Sequence, residues 1–354
     1  MTKMAIDGKN TVMTDLTGVV EFLPNQYGFI NSLGLFTRKP ISGTSIVVDR
    51  VDSALTLMDS VTRTARGIEY NNGEIVQQYA FPIPYFKDME RIVPEELQGI
   101  RQAGTMDVKK FNDLRARKLR NLGMRHDINQ EFMKMQALKG KVMDANGRVF
   151  ADLFATFGFT KKVFNFELNL DATDVNLKCR EIVRYIEDNA MAGTAVNGEN
   201  LIMLVDSVFF DKLTTHPKVR EIYLFQSQNP SPLKDSMKGA NGMNTFTFGG
   251  LTFVEYRGKF TDKRGKVHKL VDVAGKTEGC GHGFPNLGLL NEELYPIYSA
   301  PANKIDYVNT LGEEMYTFEY ELERGEGYEY EYHSSNLPLC LRPQMLIDLV
   351  ATGN

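Results

Sequence analysis

Tryptophan is absent from the 354 residues, an absence that alone excludes nothing, and cysteine occurs only three times. Cys179, Cys280 and Cys340 are far apart and odd in number, which argues against a disulfide framework and predicts reduced thiols, as in a cytoplasm. No apolar run approaches the ~20 residues that cross a bilayer, so no membrane-spanning helix is expected. Residues 1–20 carry no apolar stretch behind a basic start, and a secretory signal is not expected either. Charge of one sign is not in excess: 45 acidic against 41 basic residues leave a net charge of −4, unlike a dedicated nucleic-acid binder. No repeat of fixed period runs through the chain.

Catalytic patterns are missing too. The five histidines are scattered. A zinc site needs about four ligands at workable spacing. Cys280-Gly281-His282 offers half of one, but Cys179 and Cys340 sit inside apolar runs, and the plainer reading is a glycine-rich turn before Phe284-Pro285-Asn286. A nucleophile needs a base and an orienting acid. His126-Asp127 is such an adjacency, but on a helix neighbouring residues point apart. Gly239, Gly242, Gly249 and Gly250 lie in a strand-bounded loop that itself holds no Gly-Lys-Ser/Thr, so they are not read as a phosphate loop. The expectation is a chain without catalytic residues, metal or cofactor.

What is present suffices for a core. The chain is 42% hydrophobic and 24% charged, long enough for two domains or one large irregular one. Residues 1–40 hold scattered apolar side chains without a period and read as an extended arm, with a short helix near 27–35, dispensable for subunit folding. Residues 41–85 hold β-rich runs with Arg66-Gly67 and Asn71-Asn72-Gly73 as turns, closed by Pro82 and Pro84: a long β excursion. Residues 106–139 are the strongest helix, with Val108, Phe111, Leu114, Leu119, Leu122, Ile128, Phe132, Met135 and Leu138 recurring at helical spacing. Asp107 caps its start, Gly140 stops its end, and Gly123 marks a place for a bend or break.

Asn146-Gly147 then signals a hairpin. Residues 173–190 form an amphipathic helix capped by Thr173 or Asp174. Leu201–Val205 is a buried central strand by its continuous apolarity, and Asp206 or Ser207 caps the next helix. Residues 226–244 read as a polar loop, and 246–256 and 267–273 as strands. Tyr alternates with Glu through Tyr316–Glu323 and Tyr328–Tyr332, ahead of an apolar ending at Leu337–Leu341.

This order of arm, β excursion, long helix, hairpin and mixed domain resembles the lambda-type major capsid protein E family of tailed phages, with its HK97-like fold. Leu138-Lys139-Gly140-Lys141-Val142 with Gly147-Arg148-Val149-Phe150 is similar to the family's LKGKY…G…F turn. Leu201–Val205 with Asp206, Phe209-Phe210 and Val219-Arg220-Glu221 resembles its first axial strand and helix. Gly249–Tyr256 resembles the next strand, and Pro338-Leu339-Cys340-Leu341 its APLML ending. The resemblance implies an α+β chain divided into an arm (1–40), an extended β loop (41–85), a peripheral domain (86–174) with spine helix 106–139, an axial domain (175–345) and a tail (346–354).

It further implies a shell subunit found in the virion and assembled in the host cytoplasm. Its partners would be copies of itself in hexamers and pentamers, a separate scaffolding protein (no segment ahead of the arm is long enough to be a fused one), a portal, a decoration protein and packaged DNA. An encapsulin-like compartment shell is the alternative, and a cytosolic α/β enzyme a more distant one. A two-stranded ribbon is marginal alone. Ile46, Val48, Leu55, Leu57, Ile75, Val76 and Tyr79 are therefore expected to touch a neighbouring subunit. Arg115, Lys118, Arg120 and Arg125 are candidates for the lumen, where contact with DNA needs no sequence specificity, or for a neighbour. The plainer reading is a solvated helix face. Glu319, Glu321, Glu323, Glu329 and Glu331 repel one another and are candidates for contact with a neighbour's basic residues, or form an acidic exposed hairpin.

Overall fold

The computed structural model describes residues 28–52, 75–98, 108–190, 200–226, 243–261, 267–269, 271–273 and 276–352. Two bodies of secondary structure share the long helix, and the architecture is α+β. The first is a six-stranded mixed sheet in the order Lys162–Asn165, Ile347–Val350, Cys280–Pro285, Leu201–Val205, Leu251–Glu255, Thr245–Phe248. Leu201–Val205 is buried at every position, as its unbroken apolar run requires of a strand covered on both faces. Helix Val175–Asn189 covers the sheet with Val175, Cys179, Ile182 and Ile186, and Asp174 caps it by accepting the Leu177 N–H at 3.0 Å. Asp206 caps helix Ser207–Thr215 through the Phe209 N–H at 2.9 Å.

The spine helix runs from Val108 to Lys139, 32 residues, or about 48 Å at 1.5 Å per residue. It passes through Gly123 without a break. Its first half supports the second body, the antiparallel sheet Tyr316–Glu321, Tyr328–Ser334, Phe86–Ile92. Leu114, Leu119 and Leu122 there meet Ile92, Tyr330 and Tyr332. Its second half is buried in the main core through Phe132, Met133, Met135 and Leu138. Strands Ser45–Asp52 and Ile75–Pro82 pair in register as an antiparallel ribbon.

Several expectations are corrected. Within the stretch expected as the tail, Ile347–Val350 lies inside the six-stranded sheet, antiparallel to Cys280–Pro285 and parallel to Lys162–Asn165. Residues 162–165 thus share a sheet with Leu201–Val205, and the Tyr/Glu strands share one with Phe86–Ile92. Cys280–Pro285 is a fully buried strand, not a turn. Its glycines answer to space: a Cβ on Gly283 would stand 2.5 Å from Met203 Sδ, and one on Gly281 2.8 Å from the Leu204 carbonyl oxygen. The stretch 246–256 is a hairpin, because Gly249 and Gly250 take φ of 59° and 84° in succession.

The strand near Leu337 is Asn336–Pro338, and it pairs with Pro296–Ser299 in a separate three-stranded sheet completed by Thr37–Pro40. That last strand belongs to the arm. Ile30 and Leu35 are buried in the main core, so the arm's end from residue 28 onward is built into the fold. Residues 1–27 lie outside the described residues.

Candidate functional site: charged seams and the ribbon root

Alternation in the Tyr/Glu strands sends Glu319 to the spine-helix side and Tyr316 and Phe318 to the other. Arg115 donates to Glu319 at 2.6 Å and lies 5.6 Å from the Tyr330 ring centroid, while the Tyr330 hydroxyl donates to the same carboxylate at 3.3 Å. Glu329 accepts from Arg91 at 2.6 Å. Glu331 is buried and gathers Lys87, Lys304 at 3.2 Å and His333 at 2.9 Å. Burial pushes its carboxyl pKa up, but the bonds from Lys87 and Lys304 outweigh that and hold it below the usual range. On the spine helix, Lys118 pairs with Glu96 at 3.0 Å and Glu90 at 3.4 Å, and Arg125 with Asp88 at 2.5 Å and Glu90 at 2.9 Å.

The two candidate charged sets thus meet within one subunit. Glu319 and Arg115 are partners of each other, and Lys118, Arg125, Glu329 and Glu331 are engaged by their own chain. Each of these six therefore has at least one partner inside its own subunit. Two like-charged rows far apart in sequence are each repulsive alone and neutralise one another when the sheet is laid on the helix. Arg120, Glu321 and Glu323 remain exposed, as does Arg117. Among the described residues none of the four has an ion-pair partner within 4.0 Å.

The ribbon root is also held by its own chain. Ile46, Val48 and Tyr79 are half-buried against the main core, and Tyr79 stacks edge-on against Phe157 at 5.3 Å. Arg50 donates to the Phe157 carbonyl at 2.5 Å and lies 4.8 Å from the Phe159 ring centroid. Val47, on the opposite face, is 56% exposed. The alternation thus turns Ile46, Val48 and Tyr79 onto their own subunit, where they are half-buried, and leaves Val47 outward. Ile75 and Val76 lie on the paired strand, and Leu55 and Leu57 lie outside the described residues.

Two buried polar centres escaped the sequence reading. Glu131 is fully buried on the spine helix and accepts the N–H of Ile30 at 3.1 Å, the N–H of Asn31 at 3.4 Å and the hydroxyl of Tyr256 at 3.1 Å. Burial raises its pKa against the pull of those bonds. An acid amid Phe132, Met133 and Met135 was the available signal. The second centre joins Asp348 to Lys161 and, at 2.7 Å, to His282 Nδ1, whose Nε2 lies 2.8 Å from the Asp272 carbonyl oxygen. His282 is thus fixed by a carboxylate and a carbonyl. Cys280 beside it has its thiol pushed up to about 11, chiefly by burial, and is inert at neutral pH. Among the described residues no group of three or more His, Cys, Asp or Glu could hold a metal ion, and no helix is long and apolar enough to cross a membrane.

Comparison with known proteins places this geometry. Residues 12–351 match the model of the family described as phage major capsid protein E. The chain is 45% identical over 353 residues to a major capsid protein of Salmonella phage Felix O1 (isolate Felix O1-VT1), covering 96% of each. It is 30% identical over 350 residues to a major capsid protein of Pseudomonas phage KPP10, again covering 96% of each. Among solved structures, the putative capsid protein of a prophage of E. coli CFT073 superposes with a TM-score of 0.58 at 14% identity, over 96% of this chain and 99% of that one. The capsid of Myoviridae phage XM1 does so with a TM-score of 0.51 at 9% identity, over 94% and 95%. At such identities the structural likeness is one of fold.

Proposed function

Because the chain belongs to the phage major capsid protein E family, we propose that it tiles the phage head as hexamers and pentamers around the packaged genome. It is a structural, non-catalytic shell subunit of the virion, with the HK97-like α+β fold. The observation that carries the tiling is the spine helix Val108–Lys139, one half under the Tyr/Glu sheet and the other in the core of the six-stranded sheet. A strut fixed at both ends holds two bodies at a set separation, which a repeating tile needs.

Assembly takes place in the host cytoplasm on a separate scaffolding protein, with a portal at one vertex and a decoration protein on the outer surface. Contact with DNA is non-specific and does not rest on Arg115, Lys118 and Arg125, which are neutralised within the subunit. The relatives are named as capsid proteins, which favours a genome-filled head over an enzyme-carrying compartment. Negative-stain microscopy of the chain co-expressed with the scaffolding gene from its own genome tests the reading. Closed shells are expected; a stable monomer under all conditions overturns it.

A further inference from the structure

The segment between strands Pro296–Ser299 and Tyr316–Glu321 folds over the outer face of the Tyr/Glu sheet. It is held firmly. Tyr307 packs on Tyr316 at 5.0 Å and Phe318 at 5.8 Å, Lys304 donates to the Tyr320 hydroxyl at 2.6 Å, and the Gly312 N–H donates to the Ile41 carbonyl at 3.0 Å. Yet this fixed segment turns three aliphatic side chains to solvent: Ile305 is 92% exposed, Val308 65% and Leu311 64%. A single exposed leucine means nothing, but three within seven residues of an anchored segment form a patch of the kind that marks an interaction site. Beside it lies a groove of about 710 Å³ lined by Ile83, Tyr85, Ala302, Tyr307 and Val308, at the foot of the β ribbon.

We propose that the face presented by Ile305, Val308 and Leu311, with its adjoining groove, is the seat of a second copy of this chain in the shell. The proposal rests on the shell reading above, which makes another copy the partner present at highest local concentration. Charge agrees with that occupant. The patch is flanked by the exposed acids Asp306 and Glu314, while Arg117 and Arg120 of the spine helix stand exposed without an acidic partner among the described residues. One chain therefore carries both an acidic-rimmed apolar seat and spare basic side chains, and opposite-signed rims set the register of a contact.

The cysteines make a clean test possible, because Cys179, Cys280 and Cys340 are all buried. An Ile305→Cys variant then offers one reactive thiol on an otherwise inert background. Maleimide labelling at that thiol is expected to be fast in the dissociated subunit and at least about tenfold slower in shells assembled from the chain and its scaffold. Equal labelling rates in both states overturn the proposal. Protection that appears only in mature virions, and not in shells assembled from the chain and its scaffold, also overturns it, because a different protein then covers the patch. In parallel, an Ile305→Ser/Val308→Ser/Leu311→Ser variant should keep the circular dichroism and thermal midpoint of the parent subunit while losing shells. Unimpaired shell formation by that variant counts against the seat. Absence of shells from the unmodified chain is a different result, which counts against the shell reading itself.

Discussion

Replacing Glu131 with alanine should loosen the end of the arm from the spine. Ile30 and Asn31 lie in the first turn of helix Phe29–Ser32, where backbone N–H groups have no intrahelical acceptor, and no side chain at Gly28 caps them. Glu131 supplies the acceptor from about a hundred residues away and takes the Tyr256 hydroxyl as well. Alanine leaves three donors unanswered, those of Ile30 and Tyr256 buried and that of Asn31 part-buried. At ~1–3 kcal/mol for each, less the relief of no longer burying a carboxylate, the net loss is about 3–5 kcal/mol. Glutamine keeps the shape and one acceptor oxygen but turns an amide N–H₂ toward other donors, for a loss of about 1.5–3 kcal/mol. Urea unfolding of the dissociated subunit should rank the parent above Glu131→Gln and that above Glu131→Ala. Hydrogen exchange should quicken at residues 30–36 in the same order. An alanine variant within about 0.5 kcal/mol of the parent, with unchanged protection at Ile30 and Asn31, would refute the capping role.

Two further outcomes follow from buried groups. His126 has its pKa pushed down to about 4 by burial and then by the Lys134 charge, while the adjacent Asp127 is pushed up to about 6 by burial and then by Glu314. The histidine's stabilising share is lost as pH falls from 6.5 toward 4. The aspartate opposes it, because its folded pKa is raised and the penalty of its charge disappears as pH falls through 6. Asp127→Asn should therefore steepen the loss of thermal stability between pH 6.5 and 4, and His126→Gln should flatten or reverse it; parallel profiles for all three proteins would show the pair to be irrelevant. Deleting residues 346–354 should abolish soluble protein, because Leu346, Ile347, Leu349 and Val350 are buried and at ~2 kcal/mol each their loss rivals the whole stability of a domain. A soluble truncated chain with native circular dichroism would place the strand outside the core.

Where one face of an element carries its signal locally, the sequence was readable. The spine helix, helix Val175–Asn189 and strand Leu201–Val205 show their period or their continuous apolarity within their own span. Cys280–Pro285 and Ile347–Val350 do not. In the first, Gly281 and Gly283 look like turn residues until the crowding from Val205, Met203 and Ile347 is known. In the second, Asp348 interrupts an apolar run, and only Lys161 and His282, far away in sequence, explain how it is tolerated. The candidate site was legible in its residue types and not in its pairing. Arg115 and Glu319 are separated by 204 positions, and no local pattern states that they meet.

That internal pairing bears on assembly. A lateral contact made mainly of ion pairs would weaken steeply with salt, because exposed charges are screened over about 8–10 Å at physiological ionic strength. Here Arg115, Lys118, Arg125, Glu329 and Glu331 satisfy one another or nearby residues inside the subunit and have little attraction left for a neighbour. Such seams stiffen the tile. On the seat proposed above, cohesion between tiles falls to apolar surface that the subunit leaves uncovered, with Ile305, Val308 and Leu311 foremost. An apolar contact among many identical copies is weak singly and strong by repetition. It demands no particular residue at any position, which is why the chain looks chemically silent in its sequence while carrying its function in its shape.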